Sequence, residues 1–106
     1  MKRGDIYWAD LGPPAGRRPV LILTRDAAIP VLSTVVVAPL TRTVRGIRSE
    51  IPMGPSEGLP DECVANCDSL FTVPKAVLER EPGGRLKPAQ AMRLDDALRF
   101  SLDIRY

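Results

Sequence analysis

Short apolar runs separated by proline and glycine make up most of the chain, and the pattern changes only near its end. Eleven prolines and eight glycines punctuate the runs, which is typical of short strands joined by turns. Strands are predicted at 6–9, 19–25, 34–40, 48–52 and 63–73 and around Arg85. We predict a loop at 26–32, a basic loop at 41–46 and one helical turn at 74–77.

From Pro88 to Asp103 the apolar spacing becomes helical. The apolar stripe consists of Ala91, Leu94, Leu98 and Leu102, three and four residues apart. Pro88 suits the first turn of a helix. Short strands followed by an amphipathic helix predict a mainly β fold with α structure, in which a strongly curved sheet or small barrel is covered by that helix.

Polar groups stand at the ends of two predicted strands. Arg18 begins the second strand and Thr41 follows the third. If these strands pair as an antiparallel hairpin, the two residues meet at one edge of the sheet. A guanidinium beside a hydroxyl suits a phosphate, and it also suits a purely structural arrangement. In the first strand, where side chains alternate, we expect Trp8 rather than Tyr7 to face the core.

Length and composition indicate one globular domain, residues 1–106, with 44% hydrophobic residues. No apolar run approaches the ~20 residues that span a bilayer. The segment Met1–Asp5 has no apolar signal region. We therefore expect a soluble cytoplasmic protein with no membrane partner.

The basic charge is concentrated in the first half of the chain. Residues 1–50 contain eight basic and four acidic side chains, and residues 51–106 contain seven and nine. Arginine predominates among the basic residues of the first half, which fits phosphate recognition, although a solvated surface fits the charge equally well.

The chain has no histidine and only two cysteines, Cys63 and Cys67. Serine–histidine and cysteine–histidine chemistry is therefore excluded, and no zinc-ligand pattern is present. On one strand the two cysteines would lie about 13 Å apart, too far for a disulfide. We expect buried free thiols, no metal and no cofactor.

The order of these motifs resembles the MazF/PemK (Kid) toxins of bacterial toxin–antitoxin systems. The matching segments are Arg3–Leu11, Arg17–Asp26, Val37–Thr41, Val64–Leu70 and the helix ending Leu102-Asp103-Ile104. The resemblance implies an SH3-like β-barrel with a C-terminal helix, a homodimer, and a metal-independent, sequence-specific endoribonuclease that cuts single-stranded RNA. It also implies a cognate antitoxin whose acidic, partly disordered tail covers the RNA site.

By this resemblance, Arg18 and Thr41 match the catalytic arginine and threonine of the family. Asp68 matches an acidic position that is catalytic or positions the substrate in some members. The candidate RNA contacts beside these positions are Arg17, Arg42, Thr43, Arg45 and Asn66. The loop at 12–16 is shorter than in many relatives, so their base preference does not transfer to this chain.

RNA supplies its own nucleophile, the 2′-hydroxyl. The enzyme then has to remove a proton, stabilise a dianionic phosphorane and assist the leaving 5′-oxygen, which yields a 2′,3′-cyclic phosphate and a 5′-hydroxyl. An arginine and a threonine fit the stabilising role. A water, the substrate phosphate or Asp68 is the candidate base.

Two other functions are compatible with the sequence. One is a toxin similar to CcdB that poisons a protein such as DNA gyrase without catalysis. The chain end Asp103–Tyr106 differs from the Trp-Gly-Ile type end of CcdB, which counts against it. The other is a nucleic-acid-binding barrel that contacts its ligand through the basic loop and does not cut it.

Overall fold

The computed structural model describes residues 1–105, and Tyr106 lies outside the described residues. This part of the chain forms seven strands and one α-helix. The strands are β1 (Asp5–Asp10), β2 (Arg17–Ile22), β3 (Thr34–Thr41), β4 (Glu50–Met53), β5 (Cys63–Asn66), β6 (Phe71–Pro74) and β7 (Gly84–Arg85). The helix α1 spans Ala91–Leu102, and single 3₁₀ turns occupy Pro55–Glu57, Lys75–Val77 and Pro88–Gln90.

All strand pairs are antiparallel, in the order β4-β5-β3-β2-β1-β7, with β6 also paired to β3. Strand β3 changes partner along its length. Its first half pairs with β6 from Thr34 to Val37, and its end pairs with β5 at Leu40 and Thr41. This exchange of neighbours curls the sheet into a half-barrel, which confirms the predicted small curved β fold with a terminal helix.

The sheet is buried on both faces. One core cluster lies between the sheet and α1 and includes Ile6, Leu21 and Leu94. The other includes Tyr7, Val20 and Val37. Because both faces are covered, the central strands are apolar almost continuously instead of alternating.

The helix stripe is rotated from the predicted one. Leu94 and Ala97 are buried and Leu98 is partly buried, whereas Ala91 and Leu102 are exposed. The stripe prediction was wrong at both ends because α1 packs only through its middle turns. No helix within residues 1–105 has the length and apolar character needed to cross a membrane.

The prediction of one strand over 63–73 was also wrong. The chain turns between β5 and β6, where Asn66 accepts a hydrogen bond from the Asp68 backbone N–H at 2.9 Å and donates to Ser69 Oγ at 3.2 Å. Asparagine and serine favour such turns because their side chains bond to nearby backbone. The predicted helical turn at 74–77 and the strand around Arg85 are confirmed.

Candidate active site

A cleft of about 200 Å³ opens where β2 begins and β3 ends. Its lining residues are Trp8, Arg17, Arg18, Pro19, Leu40, Thr41, Arg42, Leu59, Pro60, Asp61 and Cys63. The wall is therefore partly apolar and partly arginine-rich, and it carries one hydroxyl. Such a mixture suits a ligand that has both a ring and a phosphate.

The strand register brings Arg18 and Thr41 to this cleft. In the β2–β3 pair, Val20 lies opposite Pro39 and Leu21 lies opposite Ala38. Two residues beyond the last pair of this ladder the strands reach Arg18 and Thr41, and both side chains line the cleft. The expected meeting at one sheet edge is therefore present in the structure.

Arg18 is exposed and has no carboxylate partner within residues 1–105. Its Nε donates to the Ala15 carbonyl at 2.9 Å, which orients the guanidinium. Thr41 Oγ1 accepts from the Thr43 backbone N–H at 3.2 Å. The terminal guanidinium nitrogens of Arg18 and the hydroxyl proton of Thr41 remain as donors for a ligand.

Arg17 and Arg42 also line the cleft, but each has an acidic partner. Arg17 donates to the Glu79 carboxylate from Nε and, at 3.0 Å, from Nη2. This hydrogen bonding raises the pKa of Arg17 and lowers the pKa of Glu79. Arg42 Nη1 lies 3.5 Å from Asp61 Oδ2, an ion pair. Two of the three cleft arginines are therefore shared with carboxylates, and Arg18 is not.

Trp8 is half-buried in the cleft, whereas Tyr7 is 4% exposed and belongs to the core. The expectation that Trp8 faces the core was wrong because both faces of β1 are covered, so alternation did not distinguish the two aromatics. The Arg17 guanidinium lies 4.3 Å from the centroid of the Trp8 ring, a cation–π arrangement. A Cβ on Gly83 would lie 2.7 Å from the indole, so glycine there lets the ring pack against backbone.

Asp68 and Asn66 do not line the cleft. They belong to a second polar group at the other end of β5, which we call the anchor cluster: Ser49, Glu50, Asn66 and Asp68. Ser49 is fully buried and donates to Asp68 Oδ2 at 2.5 Å. Asn66 is 8% exposed, and its side chain makes the two turn bonds described above. The Asn66 side chain therefore makes turn contacts, and the Asp68 carboxylate accepts from a residue just before β4.

Thr43 and Arg45 lie on the loop that leaves the cleft after Thr41. Both are exposed, and neither lines the cleft itself. The backbone N–H of Arg45 donates to Glu50 Oε1 at 2.9 Å. The loop therefore runs from the cleft to the anchor cluster.

Sequence reasoning missed the acidic partners Asp61 and Glu79 and the stacked Trp8. Arg17 and Glu79 are 62 positions apart in the sequence, and no local sequence pattern predicts such a pair. The Pro82-Gly83-Gly84 run was the local signal for the position of Trp8, because adjacent glycines often mark a close approach of the backbone to a large side chain.

Cys63 and Cys67 are buried and form no disulfide. Burial raises the pKa of both thiols, that of Cys67 to about 11. Cys63 lines the cleft, but a protonated thiol is a poor nucleophile. Within residues 1–105, no group of three histidine, cysteine, aspartate or glutamate side chains has a geometry that holds a metal ion.

The sequence profile of the PemK-like, MazF-like toxin of type II toxin–antitoxin systems matches residues 2–102. The probable endoribonuclease MazF5 of Mycobacterium tuberculosis is 40% identical over 102 residues, which cover 95% of this chain and 92% of the relative. Endoribonuclease MazF3 of the same organism is 44% identical over 89 residues, 81% and 84% of the two chains.

Solved structures give the same result. Mycobacterium tuberculosis toxin MazF-mt6 superposes with a TM-score of 0.88 at 38% identity, covering 96% of this chain and 99% of that one. An endoribonuclease from a mycobacterial species, solved in complex with its cognate antitoxin, superposes with a TM-score of 0.86 at 32% identity. The match covers 100% of this chain and 98% of that one. Together with the profile match over nearly the whole sequence, these likenesses show that the chain belongs to the PemK-like, MazF-like toxin family of type II toxin–antitoxin systems.

Proposed function

We propose that this toxin is a sequence-specific endoribonuclease that cuts single-stranded RNA without a metal ion, leaving 2′,3′-cyclic phosphate and 5′-hydroxyl ends. Arg18 and Thr41 are the catalytic residues in this proposal. The observation that carries it is their convergence on one cleft, with Arg18 free of any carboxylate in residues 1–105. Relatives named endoribonuclease support the reaction class.

The reaction begins with attack of the 2′-hydroxyl oxygen on the adjacent phosphorus. The P–O bond to the 5′-oxygen breaks, and that oxygen takes a proton from water to become the 5′-hydroxyl. Because arginine stays protonated in proteins, Arg18 stabilises the extra negative charge of the phosphorane and donates toward the leaving oxygen. Thr41 supplies a second hydrogen bond to a non-bridging oxygen, as in other preorganised anion sites.

The carboxylate of Asp68 is engaged by Ser49 outside the cleft, which does not favour Asp68 as the base. A water or the substrate phosphate remains to accept the 2′-hydroxyl proton. An intramolecular nucleophile has the proximity advantage already, so the protein's main task is charge stabilisation.

The apolar wall and Trp8 fit a nucleobase beside the reacting phosphate. Indole rings stack on bases with little sequence preference. The Arg17 guanidinium now covers one face of Trp8, so a base that stacked there would displace or extend that contact. Arg42, Thr43 and Arg45 are proposed to contact RNA along the loop that follows Thr41, and Arg17 at the cleft.

An antitoxin partner follows from the same site. One solved relative is an endoribonuclease bound to its cognate antitoxin. An acidic, partly disordered antitoxin tail would pair with the cleft arginines as RNA phosphates do, and it would therefore block RNA cleavage. Growth inhibition through loss of translated RNA is the expected result when the antitoxin is absent.

We also propose that two copies form a symmetric dimer. On α1, Met92 is 83% exposed and Phe100 is 50% exposed. Apolar side chains at such exposure suit an isologous interface, in which the same patch meets its copy. Sedimentation at micromolar concentration is expected to show a dimer, and a monomer throughout would contradict this part of the proposal.

The decisive experiment uses a short RNA that the purified protein cuts in EDTA. One 2′-deoxy sugar is placed in the nucleotide 5′ to the cut. We expect cleavage to stop at that bond, and a DNA strand of the same sequence to stay intact. Cleavage of the modified strand at the same bond would rule out the 2′-hydroxyl as nucleophile. Binding without any cutting of the unmodified RNA would favour a non-catalytic binding module.

A further inference from the structure

A buried carboxylate lies beneath the basic loop of the RNA site. Glu50, the first residue of β4, is 2% exposed. Its Oε1 accepts from the backbone N–H groups of Arg45 and Gly46, at 2.9 and 3.0 Å. Its Oε2 is buried and has no hydrogen-bond partner among residues 1–105. Glutamate is rarely buried unless its charge is paired, so its position needs a reason.

The backbone at Gly46 explains how one oxygen accepts two bonds. Gly46 has φ +71°, in the left-handed region that favours glycine. A left-handed residue in a turn lets successive N–H groups point to the same side, which forms a small anion-binding concavity. Here the anion is the chain's own Glu50 carboxylate.

In the part of the chain that the structure describes, the Glu50 carboxylate accepts hydrogen bonds only from this loop. The loop is fixed at its other end by the Thr43 N–H donating to Thr41 Oγ1, at the cleft. Its last residues are held from α1, where Arg93 donates to the carbonyls of Arg48 at 3.2 Å and Glu50 at 2.7 Å. The segment from Arg42 to Arg48 is therefore tied at its start, middle and end.

We infer that Glu50 is a positioning residue for RNA binding. Its carboxylate holds the loop at 42–48 in one conformation, so that the arginines of the loop are already in position when RNA binds. The inference rests on the proposed function of the cleft. A preformed loop binds more tightly than a mobile one because less conformational entropy is lost on binding. Glu50 itself is buried and does not touch the substrate.

The experiment compares three variants with the wild type. Glu50→Ala removes both loop bonds. Gly46→Ala disturbs the same pair of N–H groups by straining a left-handed residue. A Cβ there meets no atom of the described residues within 4 Å, so this variant leaves the core intact. Glu50→Gln keeps an oxygen for the two N–H groups and replaces the oxygen that accepts no bond.

Asp5→Ala is the matched control. Asp5 is a buried carboxylate, 4% exposed, that accepts a backbone N–H from Lys2 at 2.9 Å and pairs with Arg85. It lies outside the cleft and the loop. We expect its loss to destabilise the fold without releasing the loop.

Three readouts separate positioning from general stability. We expect Glu50→Ala to raise KM for a short RNA roughly tenfold, the size of one lost charge-assisted contact, with a much smaller change in kcat. The slope of log affinity against log salt should become less negative by about 0.7, the value for one phosphate contact on a single strand. Hydrogen exchange at the Arg45 and Gly46 amides should accelerate. Gly46→Ala should shift all three readouts in the same direction, and Glu50→Gln should shift them less than Glu50→Ala, because it keeps an acceptor for the two N–H groups but loses the charge.

Each result decides a separate point. If the wild type cuts RNA but Glu50→Ala and Gly46→Ala keep the wild-type KM and salt slope, the inference is overturned. If Asp5→Ala raises KM equally, Glu50 acts only through stability and the inference is also overturned. If Glu50→Ala does not fold, Gly46→Ala and Glu50→Gln decide. Failure of the wild type to cut RNA would overturn the proposed function, and the exchange rates alone would then report whether Glu50 fixes the loop.

Discussion

Two polar regions flank the same strands, and they differ in how their hydrogen bonds are used. The cleft carries Arg18 and Thr41, which keep donors available to a ligand. In the anchor cluster, the side chains of Asn66 and Asp68 bond to neighbouring protein groups. Residues of similar polarity thus keep unused donors in one place and bond within the fold in the other.

Pairing within the fold accounts for the difference. A buried donor or acceptor left unpaired costs about 1–3 kcal/mol, so the folded chain pairs groups such as the Ser49 hydroxyl, which is fully buried. The cleft groups are exposed or half-buried, and water satisfies them when no ligand is bound. Unused donors, rather than polarity or exposure, therefore distinguish the candidate catalytic residues from the structural ones, because Asp68 is also exposed but its carboxylate accepts from Ser49.

The largest expected effect is on the cleft. Arg18→Ala and Thr41→Val each remove one donor from the cleft, the proposed phosphorane site, without touching the core. Each should fold normally and cut RNA at least about 10²-fold more slowly, the size expected for a lost donor in an anion-stabilising site. Single-turnover cleavage of a short RNA measures this.

Arg25→Ala is the control for the first variant, because Arg25 is an exposed arginine outside the cleft. It should keep the wild-type rate. If Arg18→Ala cut RNA at the wild-type rate, Arg18 would have no part in the mechanism.

The sequence was sufficient to predict the curved β fold, the terminal helix and the meeting of Arg18 with Thr41. These follow from apolar period, proline and glycine punctuation and antiparallel pairing, which are local or nearly local properties. It was not sufficient to separate Asp68 from the cleft residues, because that required knowing that Ser49 reaches it. The Arg17–Glu79 pair could not be predicted for the same reason, since its partners come together only after the sheet has closed.

The next effect concerns the anchor cluster. Asp68→Ala leaves the buried Ser49 hydroxyl without its acceptor and should lower the free energy of unfolding by about 1–3 kcal/mol. Its cleavage rate per folded molecule should equal that of the wild type. Denaturant unfolding and single-turnover kinetics on the same preparation measure the two quantities.

Ser49→Ala gives the matching half of a double-mutant cycle. If the two side chains act through their shared bond, the double variant loses less stability than the sum of the single variants. A hundredfold slower rate for folded Asp68→Ala would instead place Asp68 in the mechanism and erase the distinction between the two regions.

The smallest expected effect is within the cleft, where Arg17 is shared between Glu79 and Trp8. Glu79→Gln removes the competing carboxylate, so Arg17 becomes available to RNA phosphate. We expect RNA affinity to rise about two- to fivefold, the range in which exposed ion pairs contribute, and the gain to shrink as salt screens the charges.

Glu81→Gln is the matched control: it removes the same charge two positions away, and Glu81 is exposed and forms no ion pair within residues 1–105. A titration of RNA binding at two salt concentrations distinguishes the cases. Equal gains in affinity for both variants would mean that only the net charge of the surface matters, and that Glu79 does not compete with RNA for Arg17.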